Sequence, residues 1–134
     1  MNVYIAAPIN QSKRAAAFAE KVRDYGLNVV SSWHDEVPEG AQDPTHPHVR
    51  ESIAKTLVFD LAHMHIMVAL MDQGVGRGSF VEIGFALARY ATVIWLQGLN
   101  GEGSCIFDAD PNTVIVLSEE AALSQLIEEV RECG

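Results

Sequence analysis

The segment His65-Ile66-Met67-Val68-Ala69-Leu70-Met71 is apolar at nearly every position, with no polar residue alternating along it. A strand of that kind avoids water on both faces, so it belongs in a parallel sheet covered by helices on each side. Residues 3–7, 27–32, 92–96 and 113–117 form further short, mainly apolar runs. Between them lie segments with helical spacing, at 12–25 (stopped by Gly26), 48–62, 79–90 and 118–132, the last with Ser118 as its N-cap. Five strands alternating with helices predict an α/β, flavodoxin-like, three-layer doubly wound domain with a five-stranded parallel sheet. At 134 residues the chain is expected to be a single domain over 1–134.

In such a fold ligands sit beyond the carboxyl ends of the strands. That edge collects Ala7-Pro8, Ser32-Trp33, Asp72 with the glycine-rich loop 73–78, and Gln97-Gly98. Glu82 falls in the first turn of the helix expected from Ser79, and is the only charged residue between Arg77 and Arg89. Two readings compete for it. Ser79-Phe80-Val81-Glu82 fits a capping box, in which Ser and Glu satisfy each other's backbone amides. Asp72 and the glycines then become ordinary turn chemistry. Alternatively, Asp72 and Glu82 flank one loop at the ligand edge and divide the work of glycosidic cleavage, one attacking the anomeric carbon and the other managing the leaving group's proton.

The formal charge of −9 argues against a nucleic-acid duplex as partner, since phosphate backbones need clustered Lys and Arg. Cys105 and Cys133 have no paired spacing, which fits a reducing compartment. No apolar run reaches the length of a membrane span and no basic leader is visible, so a soluble, cytoplasmic protein is expected. His46-Pro47-His48 and His63-Met64-His65 do not have zinc-site spacing, so neither metal nor cofactor is expected. The polar loop 33–47 reads as a solvated surface loop or as a lid over a pocket. Lys13 and Arg14 read as part of a helix N-terminus, with a phosphate contact as the alternative.

The stretch Asp72…Gly78-Ser79-Phe80-Val81-Glu82-Ile83-Gly84-Phe85-Ala86 resembles the nucleoside 2-deoxyribosyltransferase family, as do Tyr4-Ile5-Ala6-Ala7-Pro8, Val30-Ser31-Ser32-Trp33, Asp60, Phe107, Pro111 and Ser118-Glu119-Glu120-Ala121. The resemblance covers nearly the whole chain. It implies that Glu82 is a nucleophile forming a covalent glycosyl-enzyme, that Asp72 hydrogen-bonds the base and helps it leave, that Tyr4 orients Glu82, and that Trp33 walls the nucleobase. It also implies a homodimer or higher homo-oligomer in which loop 98–112, with Asp108, Asp110 and Asn112, reaches a neighbour's pocket. One departure matters. Where many members carry an Asp that grips the sugar hydroxyls, this chain has Gly76, followed by Arg77. A related branch hydrolyses nucleoside 5′-monophosphates. Gly74, Gly76, Gly78 and Ser79 at a helix N-terminus, with Arg77 beside them, suit a phosphate there. The resemblance therefore implies transfer of deoxyribose from a nucleoside to another nucleobase. The alternatives are monophosphate N-glycosidase activity and a non-catalytic nucleotide-sensing module.

Overall fold

A computed structural model of the chain describes residues 1–42, 44–74 and 76–133. Asp43 and Val75, which fall in the two predicted loops, and Gly134 lie outside the described residues. Strands β1 (Asn2–Ala6), β2 (Asn28–Val29), β3 (Ile66–Leu70), β4 (Thr92–Leu96) and β5 (Thr113–Val116) form one sheet in the order β2-β1-β3-β4-β5, with every pair parallel. Ile5 stands opposite Val68, and Val68 opposite Ile94. The strand order reverses between β1 and β3, which is the switch point where doubly wound folds bind ligands.

Helices α1 (Ser12–Asp24), α2 (Trp33–Glu36), α3 (Pro47–Ala62), α4 (Arg77–Ala88) and α5 (Glu119–Cys133) complete the fold. An ion pair from Arg14 to Glu119 joins α1 to α5, while α3 packs on α4 and α4 on β1, β3 and β4. The unbroken apolar runs behave as their composition demands: Val3 to Ala6, Ile66 to Met71 and Val93 to Leu96 are all buried. Ser118 caps α5, its Oγ accepting the Ala121 N–H at 3.0 Å.

Several expected boundaries move for identifiable reasons. Strand β2 holds two residues rather than the six of 27–32, because side chains replace its ladder. Ser31 Oγ accepts the Ile5 N–H at 3.0 Å, and Trp33 Nε1 donates to Ile5 O at 2.9 Å. Both backbone groups of Ile5 are thereby satisfied as β2 parts from β1. Trp33, expected in a loop, opens the short helix α2. Loop 98–112 contains a 3₁₀ turn at Ile106–Ala109 and makes the crossover to β5 without an α-helix among the described residues.

The most consequential shift is the start of α4. The helix begins at Arg77 rather than Ser79, with Gly76 at the N-cap and no acidic residue in the first turn. A Cβ on Gly76 would lie 3.2 Å from Pro8 Cα and 3.3 Å from Ser79 Oγ, so the absent side chain lets this backbone pack against the segment after β1. Ser79 is then the third helical residue and is buried, and Glu82 sits in the second turn. The capping box expected from Ser79 and Glu82 does not form, since neither residue occupies its required position. Glu82 therefore has no local backbone role.

Candidate active site

The carboxyl edge of the sheet carries a cavity of about 440 Å³, within the range of small-molecule sites. Each element at the switch point supplies one part. The turn after β1 supplies Ala7, Pro8 and Asn10, α2 supplies Trp33, and the start of α4 supplies Gly76, Arg77, Gly78, Ser79 and Glu82. Val37, Ala41 and Gln42 come from the segment after α2, and Ile53 and Leu57 from α3. Ala7, Pro8, Trp33, Gly76, Arg77, Gly78 and Ser79, expected from sequence to bind substrate, thus share one cavity with Glu82, whereas Gly74 does not line it.

The electrostatics of Glu82 are unusual. Burial pushes its carboxyl from an ordinary 4.5 up to about 7, and a hydrogen bond from the Tyr4 phenol only partly opposes this. Tyr4 is completely buried on β1 beneath the cavity. Its own pKa rises well above the usual value, first through burial and then through the charge of Glu82. The phenol lies within reach of the carboxyl, yet neither the Tyr4 hydroxyl nor Glu82 Oε2 makes a hydrogen bond of full geometry with a described residue. Both are buried polar atoms held close together and left for a further partner, a costly arrangement for a purely structural site.

Asp72 is placed differently from Glu82. Both of its oxygens engage the Arg14 guanidinium, at 2.7 and 3.1 Å, and it does not line the cavity. Arg14 also meets Glu119 at 3.2 Å and Gln11 at 3.4 Å, while Gln11 Nε2 donates to Gln73 O at 3.2 Å. Arg14 is therefore a clamp at the start of the glycine loop. It lies in the first turn of α1, at the helix N-terminus its sequence position suggested, and its guanidinium is taken up by carboxylates. Among the described residues lining the cavity, Glu82 is the one acid and Arg77 the one base, and Arg77 forms no ion pair with a described residue.

Asp108 and Asn112 lie elsewhere. Asp108 Oδ2 accepts from Gln97 Nε2 at 2.9 Å, beyond the end of β4. Asn112 O accepts the Val93 N–H at 2.9 Å, at the amino edge of the sheet and so away from the cavity. His65 Nδ1 accepts the Asn2 N–H at 2.8 Å, and His63 Nδ1 lies 2.7 Å from Phe59 O. No cluster of three or more metal-ligating side chains occurs among the described residues.

Sequence reasoning did not single out Asn10, Gln42, Ile53 or Leu57. The first two are ordinary loop amides. The other two form an apolar i, i+4 pair identical in pattern to a core stripe.

No family model matches the chain, and no curated protein matches it. Among solved structures it is similar to a CMP N-glycosidase, BcmB, of Clostridium botulinum, with a TM-score of 0.65 and 18% identity over 95% of this chain and 99% of that one. It is also similar to a conserved protein from Enterococcus faecalis V583, with a TM-score of 0.66 and 16% identity over 96% of this chain and 98% of that one. At these identities the likeness establishes the shared fold.

Proposed function

We propose that the chain hydrolyses the N-glycosidic bond of a nucleoside 5′-monophosphate, with Glu82 as the nucleophile. The observation that carries this reading is a buried carboxyl at about 7 in the wall of a ligand-sized cavity, with no cation paired to it among the described residues. Once ionised, Glu82 attacks C1′ and the base departs. Water then opens the glycosyl ester, so the anomeric configuration is retained overall. The Tyr4 phenol lies within reach of the carboxyl and is placed to donate to it once it ionises. A CMP N-glycosidase of the same fold supports a nucleotide substrate.

The start of α4 suits the 5′-phosphate. Ser79 and Phe80 amides bond back to Gly76 O, and the Arg77 and Gly78 amides ahead of them have no intrahelical carbonyl to meet. Free amides, the helix dipole and the Arg77 guanidinium together attract an anion. Gly76 leaves no carboxylate there to repel it.

Base exchange, the activity implied by the sequence resemblance, differs only in the acceptor. Incubation with nucleosides and 5′-monophosphates, with and without a second base, followed by chromatography, separates the two. Free base and sugar 5-phosphate are expected from monophosphates without a second base. Exchange confined to free nucleosides would replace hydrolysis by transfer, and no base release would end both.

Two further results are expected. Arg77→Ala should weaken monophosphate binding by about 10-fold or more, the scale of one hydrogen bond to a charged group, while nucleoside binding is unchanged. Equal effects on both ligands in calorimetry would remove Arg77 from the phosphate site. Secondly, kcat/KM should rise with pH and level off above about 7, because attack requires ionised Glu82. A ¹³C NMR titration of the Glu82 carboxyl with its midpoint at the ordinary carboxylate value would remove the basis for that profile.

A further inference from the structure

We infer that this site acts on nucleotides whose base already carries a positive charge on its ring, a pyridinium or an N7-alkylated purine, and leaves as a neutral molecule. The inference rests on Glu82 being the nucleophile. An uncharged base is a poor leaving group unless it gains a proton as the glycosidic bond breaks, and a positioned acid contributes about 10²- to 10⁴-fold to such a step. Among the described residues lining this cavity, Glu82 is the only acid, and no second one is placed there to give that proton.

Most titratable groups near the cavity are otherwise engaged, and Glu36, exposed on α2, lines an adjoining cavity rather than the one that holds Glu82. Glu82 must be ionised to attack, so it cannot protonate the base in the same step. Arg77 does not release its proton in proteins. Tyr4 lies buried beneath Glu82, with its pKa raised. Asp72 is held at both oxygens by Arg14, outside the cavity wall. Asp60 is buried, with Oδ2 accepting from the Ser32 amide at 3.1 Å and the Ser32 hydroxyl at 2.8 Å. His34 is buried with Nε2 2.9 Å from Ser31 Oγ, and it lines no part of the cavity.

The side chains of Asn10 and Gln42 remain, and amides hydrogen-bond a base without protonating it. The Trp33 wall and the chain's formal charge of −9 both favour a cationic base over a neutral one.

The reaction balances without an external acid. Glu82 Oε forms a bond to C1′ as the C1′–N bond breaks, and the bonding pair neutralises the ring cation. Water then attacks the glycosyl ester, restoring the Glu82 carboxylate and releasing the sugar phosphate and one proton.

The test compares kcat/KM for 7-methylguanosine 5′-monophosphate, its 2′-deoxy form and nicotinamide mononucleotide with that for GMP, dGMP and CMP. Glu82→Ala, run in parallel, corrects for spontaneous loss of the more labile charged bases. At least one charged substrate is expected to be cleaved about 10²-fold or more faster than every neutral one, in a Glu82-dependent manner. Cleavage of GMP, dGMP or CMP within about tenfold of the best charged substrate would overturn the inference while leaving Glu82 hydrolysis standing, since the rate then matches what a positioned acid supplies. Asp43→Asn is included in that arm because Asp43 lies outside the described residues. Neutral-base cleavage that this variant abolishes would assign the missing proton to Asp43 and overturn the inference equally. No base release from any of the six would overturn this inference and the glycosidase reading together.

Discussion

Glu82→Gln is expected to lower the rate of base release by at least about 10³-fold, while making the protein more stable above neutral pH. The two effects have one origin. A carboxyl whose pKa rises from 4.5 unfolded to about 7 folded is bound to its proton in the native state over that interval, when the unfolded chain has lost it. The native state therefore holds more protons, and stability falls as pH rises from about 4.5 to about 7. Below that window the contribution is fully present, and above it the loss is complete at about 3 kcal/mol.

An amide of the same shape carries no such charge. The variant should match wild type near pH 4 and exceed it at pH 8 by about 2–3 kcal/mol, or roughly 5–10 °C in Tm. Thermal melts at the two pH values, alongside chromatographic assay of base release, measure both quantities. Stability curves that run parallel in wild type and variant would mean that Glu82 is not desolvated as described. Retained activity would remove it as the nucleophile.

Gly103→Ala is expected to cost about 3 kcal/mol or more, although Gly103 lies outside the cavity. Its φ is +79°, and a Cβ there would stand 2.1 Å from Met71 O and 2.8 Å from Met71 C. The obstruction is backbone at the end of β3, which a rotamer change cannot relieve. Gly103 O also accepts from Trp95 Nε1 at 3.0 Å, so moving it disturbs a large buried side chain. Gly101 provides the control. Its φ is +83°, but the nearest atom to an added Cβ is Ser104 Oγ at 3.6 Å. Gly101→Ala should then show only the left-handed backbone term of about 1–2 kcal/mol. Urea denaturation of the pair separates conformational strain from collision. Equal losses would mean that the close approach to Met71 relaxes freely. Because Met71 leads into Asp72 and the glycine loop, Gly103→Ala should also reduce base release.

The sequence alone determined the sheet, because burial on both faces leaves its mark residue by residue. An unbroken run such as 65–71 has no polar face to turn to water, whatever surrounds it. Thr92–Leu96 matched its expected bounds for the same reason. It also determined that Glu82 is out of place, a lone charge in an apolar helix beside glycines at the ligand edge. Local pattern could not decide what Glu82 was doing there. The Ser79–Glu82 spacing satisfied a capping box, and only the packing of Gly76 on Pro8, 68 positions earlier, moved the start of α4 and removed that role. Asp72 shows the converse. Sequence placed the two carboxylates on either side of one loop, facing one pocket, yet Arg14, 58 residues away, neutralises one and leaves the other buried and unpaired with a cation among the described residues. Secondary structure is written by near neighbours through backbone propensity and side-chain period. The protonation and freedom of a carboxylate depend instead on charges and apolar surface that the fold brings from distant parts of the chain.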